Sequence, residues 1–386
     1  MPWRETCPVR ERVILVSDYL EGRASMSALC KHHGVSRRVA YKWVSRFKAE
    51  GVEGLKDRSR APHHRPNRVG PEIVELLVQA KKAHPCWGPK KLVVWLATKH
   101  PDKSFPSPST AGDWLNRFGL VEPRKRRMRV PRFTEPLAHA QKPNDLWCID
   151  FKGQFKTQDE VYCYPLTITD AHSRVLLECH GLYETRDRDV HPRFERVFET
   201  YGLPRAIRSD NGPPFVSKSA GGMSRLSIWW LKLGIAHERI EPGHPEQNGR
   251  HERMHLTLKL ETTRPPGKNL SDQQKLFDVF RSEFNTERPH EALGMETPIQ
   301  HYEPSTRGLP SKLPEVVYPD DYRVRKVNPA GRIRWPGRHF ILVGQPFVGE
   351  YIGCRQVEDH IWEIYFGGVL LGFIDVTRIG EGLLRV

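Results

Sequence analysis

Leu146-Trp147-Cys148-Ile149-Asp150 is a short apolar run that ends on a carboxylate, and Ala206-Ile207-Arg208-Ser209-Asp210-Asn211-Gly212 repeats the arrangement further along the chain. A third stretch, Gly243-His244-Pro245-Glu246-Gln247-Asn248-Gly249-Arg250-His251-Glu252-Arg253, reads as the start of a helix and brings two glutamates with it. Short apolar runs bounded by turn residues predict strands. Acids at the ends of two strands and on one helix bring three carboxylates from distant sequence to one place. Such a set suits a pair of divalent cations about 4 Å apart, one activating an attacking oxygen and one stabilising a leaving oxygen at a phosphodiester. Asp210-Asn211-Gly212 alone would pass as a turn, so the reading rests on the three acids together.

The surrounding sequence supports a sheet that holds these acids. Strands are expected at 146–153, 161–169, 174–181 and 206–209, with a short one at Ile235-Ala236-His237. Helices are expected at 188–201, 222–233, 246–262 and 271–286. Three successive strands followed by strands alternating with helices predict an α/β core with a mixed sheet over residues 144–305.

The charge of the chain is uneven. Net charge is +15. Residues 1–140 hold 28 Lys and Arg against 13 Asp and Glu, and the remainder balances at 33 of each. A cationic front third on a neutral body fits a polyanionic partner, with double-stranded DNA as the natural one.

Three helices are expected in residues 1–55: Val9 to Leu20, a short one through Ser25-Met26-Ser27-Ala28-Leu29-Cys30-Lys31-His32-His33, and one capped by Ser36 that runs to Glu50. Val13, Ile14, Val16 and Leu20 are candidates for the buried face of the first. A glycine turn between short helices is the helix-turn-helix layout. Arg37, Arg38, Tyr41, Lys42 and Arg46 then form a face that suits a DNA groove, with Val39, Trp43, Val44 and Phe47 packed behind.

Residues 56–70 read as a basic linker, in which His63-His64 lacks the partners of a metal site. Residues 71–122 form a second helical, helix-turn-helix-like module, with helices opened by Pro71, Pro89 and Ser107-Pro108. Residues 123–143 follow as a linker whose strap Arg124-Lys125-Arg126-Arg127 suits tracking of DNA phosphates. After a linker at 306–320, residues 321–386 alternate short strands with turns and predict a small all-β barrel, a further candidate DNA contact with six basic and no acidic residues over 323–338.

Other classes are disfavoured. No apolar run reaches the 18 or so residues of a membrane span, and the first residues lack the apolar stretch of a secretion signal. Seven scattered cysteines without a C-x-x-C pair support neither a disulfide framework nor a thiolate zinc site. A cytoplasmic setting is expected.

The segments Trp147-Cys148-Ile149-Asp150-Phe151-Lys152-Gly153, Ser209-Asp210-Asn211-Gly212-Pro213-Pro214-Phe215 and Pro242 to Arg253, with Phe284-Asn285-Thr286-Glu287-Arg288-Pro289-His290 downstream, resemble bacterial insertion-sequence transposases with a retroviral-integrase-type catalytic core. The resemblance covers about residues 140–305. It implies a ribonuclease-H-like fold, an Asp-Asp-Glu triad and two Mg2+ (or Mn2+) ions per active site.

Asp150 and Asp210 transfer onto the motif directly. Glu246 leaves the often quoted 35 residues after Asp210, but the family's acid follows the Pro-x-x-x-Gly segment, and that position here is Glu252. Glu246 near the helix start suits the helix dipole instead. The implied roles are Asp150 bridging both ions, Asp210 holding one and Glu252 the other. Water would free a 3′-hydroxyl at the element's end, and that hydroxyl would attack target DNA. Lys152, His244, Asn248, Arg250 and Arg253 are candidate DNA contacts.

The implied partners are the terminal inverted repeats and target DNA, met by a homo-oligomer. The competing readings are a DNA-binding regulator with an inactive core, which retention of all three acids disfavours, and a ribonuclease-H-type nuclease, which leaves the helix-turn-helix unexplained.

Overall fold

The computed structural model describes residues 7–60, 69–121, 140–241 and 249–384. The chain divides into two compact units, Met1–Arg68 and Val69–Val386.

The first unit holds three helices: α1 (Pro8–Leu20), α2 (Met26–His32) and α3 (Arg37–Glu50). The Ser25 hydroxyl accepts from the Ala28 N–H, and that of Ser36 from the Val39 N–H, so each cap satisfies an amide the helix leaves open. Leu15, Val16, Met26, Cys30, Ala40, Trp43, Val44 and Leu55 form the core. The buried face expected for α1 is shifted: Val16 is buried, but Val13, Ile14 and Leu20 are exposed and Leu15 takes their place. Val13-Ile14-Leu15-Val16 is apolar on every side, so periodicity cannot choose its phase. The choice is tertiary. The Arg12 guanidinium lies 3.9 Å over the Trp43 ring while donating to the Leu55 carbonyl, which fixes the rotation of α1.

In the second unit, α4 (Pro71–Ala83), α5 (Pro89–Lys99) and α6 (Pro108–Arg117) enclose Leu77, Trp87, Leu92, Leu96 and Leu115. The strands β1 (Leu146–Phe151), β2 (Phe155–Lys156), β3 (Tyr162–Asp170), β4 (Leu176–Leu182), β5 (Ala206–Ser209) and β6 (Ala236–Arg239) make one sheet. Across it the order is β4-β3-β1-β5-β6, with β2 pairing the start of β3. The pairs β4–β3 and β3–β1 are antiparallel, and β1–β5 and β5–β6 are parallel.

Helices cover both faces of this sheet. Trp147 and Ile149 point to the face covered by α7 (Asp187–Tyr201) and α8 (Arg225–Lys232), among Phe194, Phe198 and Trp230. The other face is covered by α9 (Gly249–Thr262) and α10 (Leu270–Thr286), through Met254, Leu258, Phe277 and Phe280. Because side chains alternate along a strand, Cys148 and Asp150 face α9. The helical module docks on α10 and the residue after it: the Trp95 indole N–H donates to Glu287 at 3.1 Å, and Arg288 stacks on Trp87.

The C-terminal strands are β7 (Arg323–Lys326), β8 (Arg332–Trp335), β9 (His339–Leu342), β10 (Tyr351–Gln356), β11 (Ile361–Phe366) and β12 (Val369–Asp375). They form a four-stranded antiparallel sheet, β12-β11-β10-β7, and a separate β8–β9 hairpin. The expected closed barrel is not formed among the described residues. The free edge of β12 is taken by Leu384, which exchanges two 2.8 Å backbone hydrogen bonds with Phe373. Gly372, at φ +152°, allows that approach, since a Cβ there would meet the Leu384 carbonyl at 2.3 Å. The hairpin instead lies face-on, with Trp335 edge-to-face on Trp362 at 5.4 Å.

Among the described residues no helix is long and apolar enough to cross a membrane.

Candidate functional site

Asp150 is the penultimate residue of β1, the sheet's central strand. The parallel pairing of Cys148 with Arg208 aligns the ends of β1 and β5, so Asp210, the residue after β5, emerges beside Asp150. The Gly212 N–H donates to Asp210 Oδ1 at 3.2 Å, and the Asn211 amide donates to the Ile240 carbonyl at 2.7 Å, tying the loop to the end of β6. A Cβ on Gly212 would stand 3.0 Å from the Asp210 carboxylate. Glu252 lies in the first turn of α9 and is exposed.

The electrostatics tie the three acids together. Burial pushes the Asp150 carboxyl up to about 7, and the charges of Asp210 and then Glu252 push the same way, against the Phe151 N–H and Lys152. Among the described residues no three His, Cys, Asp or Glu side chains are grouped so that they could hold a metal ion.

Two residues that sequence reasoning passed over hold this arrangement in place. His251 and His255, four apart on α9, are buried. Both Nε2 atoms bond the Thr167 hydroxyl, at 2.6 and 2.7 Å, and His251 Nδ1 bonds that of Thr169 at 3.0 Å. The Thr167 hydroxyl in turn donates to the Asp150 carbonyl at 3.1 Å, and His255 Nδ1 lies 3.8 Å from the Asp150 carboxylate. Burial lowers His251 to about 3 and lowers His255 too, so both rings are neutral. They fix the rotation of α9 against β3, and with it the direction of Glu252. The i, i+4 spacing of two histidines flanking an acid was the available signal.

The remaining candidates divide. Arg37, Arg38, Tyr41 and Lys42 are exposed along α3, while Arg46 is half-buried with its guanidinium 5.1 Å from the Trp43 ring. Lys152 sits beside Asp150 and lowers its proton affinity. Arg253 turns from the trio and lines a cavity under α9. Arg124, Lys125, Arg126, Arg127, His244, Glu246 and Asn248, the side chain of Arg250, and the His63-His64 pair lie outside the described residues.

Comparison with known proteins finds matches to four family models along the chain. The family described as "Integrase core domain" matches residues 140–245, and a second of the same description matches 233–298. A "Helix-turn-helix domain" matches 11–63 and a "Homeodomain-like domain" 39–115. A protein of insertion element IS407 from Burkholderia multivorans is 28% identical over 47% of this chain and 63% of its own length. One of insertion element IS476 from Xanthomonas euvesicatoria is 29% identical over 47% of this chain and 50% of its own. The chain thus spans less than two thirds of either relative. A structure titled as the HTLV-2 integrase catalytic core domain in complex with magnesium is 17% identical, covering 42% of this chain and 98% of that one at a TM-score of 0.34.

Proposed function

From the premise that this chain is a homologue of bacterial insertion-element proteins, with an integrase core behind helix-turn-helix domains, we propose that it is a DNA transposase of the Asp-Asp-Glu type. The observation that carries the reading is the placing of half-buried Asp150, on the central strand, beside Asp210 at the end of its parallel neighbour, where burial and the charges of Asp210 and Glu252 raise its pKa. A buried carboxylate among carboxylates is costly without a cation and is what a divalent-ion site requires.

Asp150, Asp210 and Glu252 would hold magnesium or manganese, two ions per site, and these ions would supply Lewis-acid activation of the attacking and leaving oxygens of a phosphodiester. The chain's own groups do the rest. The strand ends and α9 fix the carboxylates, the His251–Thr167–His255 cluster keeps α9 from rotating, and Lys152 offers a positive charge for a phosphate beside Asp150. Water attack would free a 3′-hydroxyl at the transposon end, and that hydroxyl would attack target DNA. The strand order supports assigning the core, residues 144–305, to the ribonuclease-H-like class. Residues 1–55 would read end DNA through α3, with the module at 71–122 and the C-terminal sheet at 321–386 adding contacts. Cutting and joining two ends calls for a homo-oligomer on DNA, and the work belongs in the cytoplasm, on the nucleoid.

The test is a nicking assay on duplexes that carry the terminal repeats flanking the gene. Magnesium-dependent cleavage that releases a 3′-hydroxyl, lost in Asp150→Asn, Asp210→Asn and Glu252→Gln while DNA binding persists, is the expected result. Full cleavage by any of the three variants would remove that acid from the site.

A further inference from the structure

One pleat repeat from Asp150 on the same face of β1, about 7 Å along the strand, Cys148 and Thr169 form the floor of a cavity that the proposed reaction does not use. Its volume is about 130 Å3, several times the roughly 15 Å3 one water needs on the same measure. Four cations line it, each from a different element: Lys91 from α5, Arg174 from the β3–β4 turn, Arg253 from α9, and Arg288 from the segment after α10. His290 also lines it, its Nε2 buried without a hydrogen-bond partner.

One acid, Asp170, shares the lining, and Glu261 and Glu291 stand near it. Asp170 accepts from the Asn144 and Ser173 N–H groups and the Ser173 hydroxyl. Glu261 is held by Arg288 at 2.7 Å. Glu291, exposed, acts on Lys91 from outside the lining.

Burial of the Lys91 ammonium in this lining is unfavourable as it stands. Burial, and then the charge of Arg288, lower the Lys91 ammonium to about 8. Arg174 holds a left-handed backbone, at φ +69°. An anion in the cavity offsets the crowding of charge.

We infer that the cavity is an anion site for a backbone phosphate of the DNA strand being cut, within about two nucleotides of the scissile bond. The distance follows from the pleat repeat set against the 3.4 Å rise per nucleotide of one strand. The inference rests on the transposase reading. It assigns Lys91, Arg174, Arg288 and His290 to substrate binding and gives the helical module at 71–122 a part in the core's own site.

The test measures binding of end DNA without divalent cation, so that no cleavage intervenes. Single linkages on the cut strand are replaced in turn by neutral methylphosphonates. Lys91→Gln removes one cation. Lys91→Arg keeps it. Arg174→Gly removes another while suiting its backbone, so loss of fold does not confuse the result. The expected outcome is that one neutral linkage near the cut weakens wild-type binding about tenfold, that Lys91→Gln and Arg174→Gly weaken binding of unmodified DNA by a similar factor, that Lys91→Arg restores it, and that the linkage adds nothing further in Lys91→Gln.

Multiplying effects at every linkage would overturn the inference. So would Lys91-dependent binding of inorganic phosphate with no coupling to any linkage, which would make the cavity a small-anion site. A wild-type chain that binds and nicks end DNA without such coupling overturns the cavity assignment alone. One that binds no end DNA overturns the transposase reading as well.

Discussion

Two patches of opposite charge share the face of the sheet that α9 covers. At the strand ends, Asp150, Asp210 and Glu252 crowd negative charge. One pleat back, Lys91, Arg174, Arg253 and Arg288 crowd positive charge. Burial is the largest cause of both the upward shift of Asp150 and the downward shift of Lys91, with like charge adding to each. They would serve a cation-bridged phosphodiester and its neighbouring phosphate together. A like-charge cluster therefore has meaning only through what completes it, and α9 contributes to both, through Glu252 and Arg253 on adjacent positions.

The comparison breaks most sharply at Asp150. Asp150→Asn is expected to lower cleavage about a thousandfold or more, the scale of several kcal/mol of transition-state charge stabilisation, with DNA affinity within about twofold. A variant that loses binding in proportion to cleavage would make Asp150 a structural residue.

The second effect is on stability. The folded Asp150 binds its proton up to about pH 7, above its ordinary value of 3.8. Its contribution to metal-free stability is thus greatest below about pH 4 and is lost as pH rises to about 7, on the order of 4 kcal/mol in all. Magnesium should therefore raise Tm more at pH 8 than at pH 5, and Asp150→Asn should raise the metal-free Tm at pH 8. Melting curves that show no pH dependence of the magnesium effect would separate Asp150 from the ions.

Smaller again is the cost of the helix lock. His251→Ala strips partners from the buried Thr167 and Thr169 hydroxyls, and an expected loss of about 2 kcal/mol should appear in denaturant unfolding. If α9 is held by other contacts, the unfolding midpoint will not move.

The smallest effect contrasts these inward groups with the outward cations of α3. Arg38→Ala or Lys42→Ala should weaken DNA binding modestly, and each should reduce the salt slope by about one. An unchanged slope would show that α3 faces no phosphate.

Much of the core was readable along the chain. The first strand, expected at 146–153, spans Leu146–Phe151, and the strand at 206–209 is placed as expected. The cap residues Ser36 and Ser107 do the work their positions imply. These signals are local, because strand alternation and helix capping are settled within a few residues. What was missed is non-local. His251 and His255 were passed over, and only the threonines of β3, more than eighty residues earlier, make them a lock. Lys91 carried no signal in the sequence, and only docking of its helical module beside α10 turns it inward.

By itself, then, the sequence determined which segments are strands and helices, that acids stand at two strand ends, and that the front of the chain is cationic, since periodicity, turn chemistry and charge are properties of neighbours. Tertiary structure alone decided which face of α1 is buried, that Leu384 takes the sheet edge a barrel would need, and that four scattered cations meet behind the carboxylates. Burial and edge pairing depend on what arrives from elsewhere in the chain, and no short window of residues contains that information.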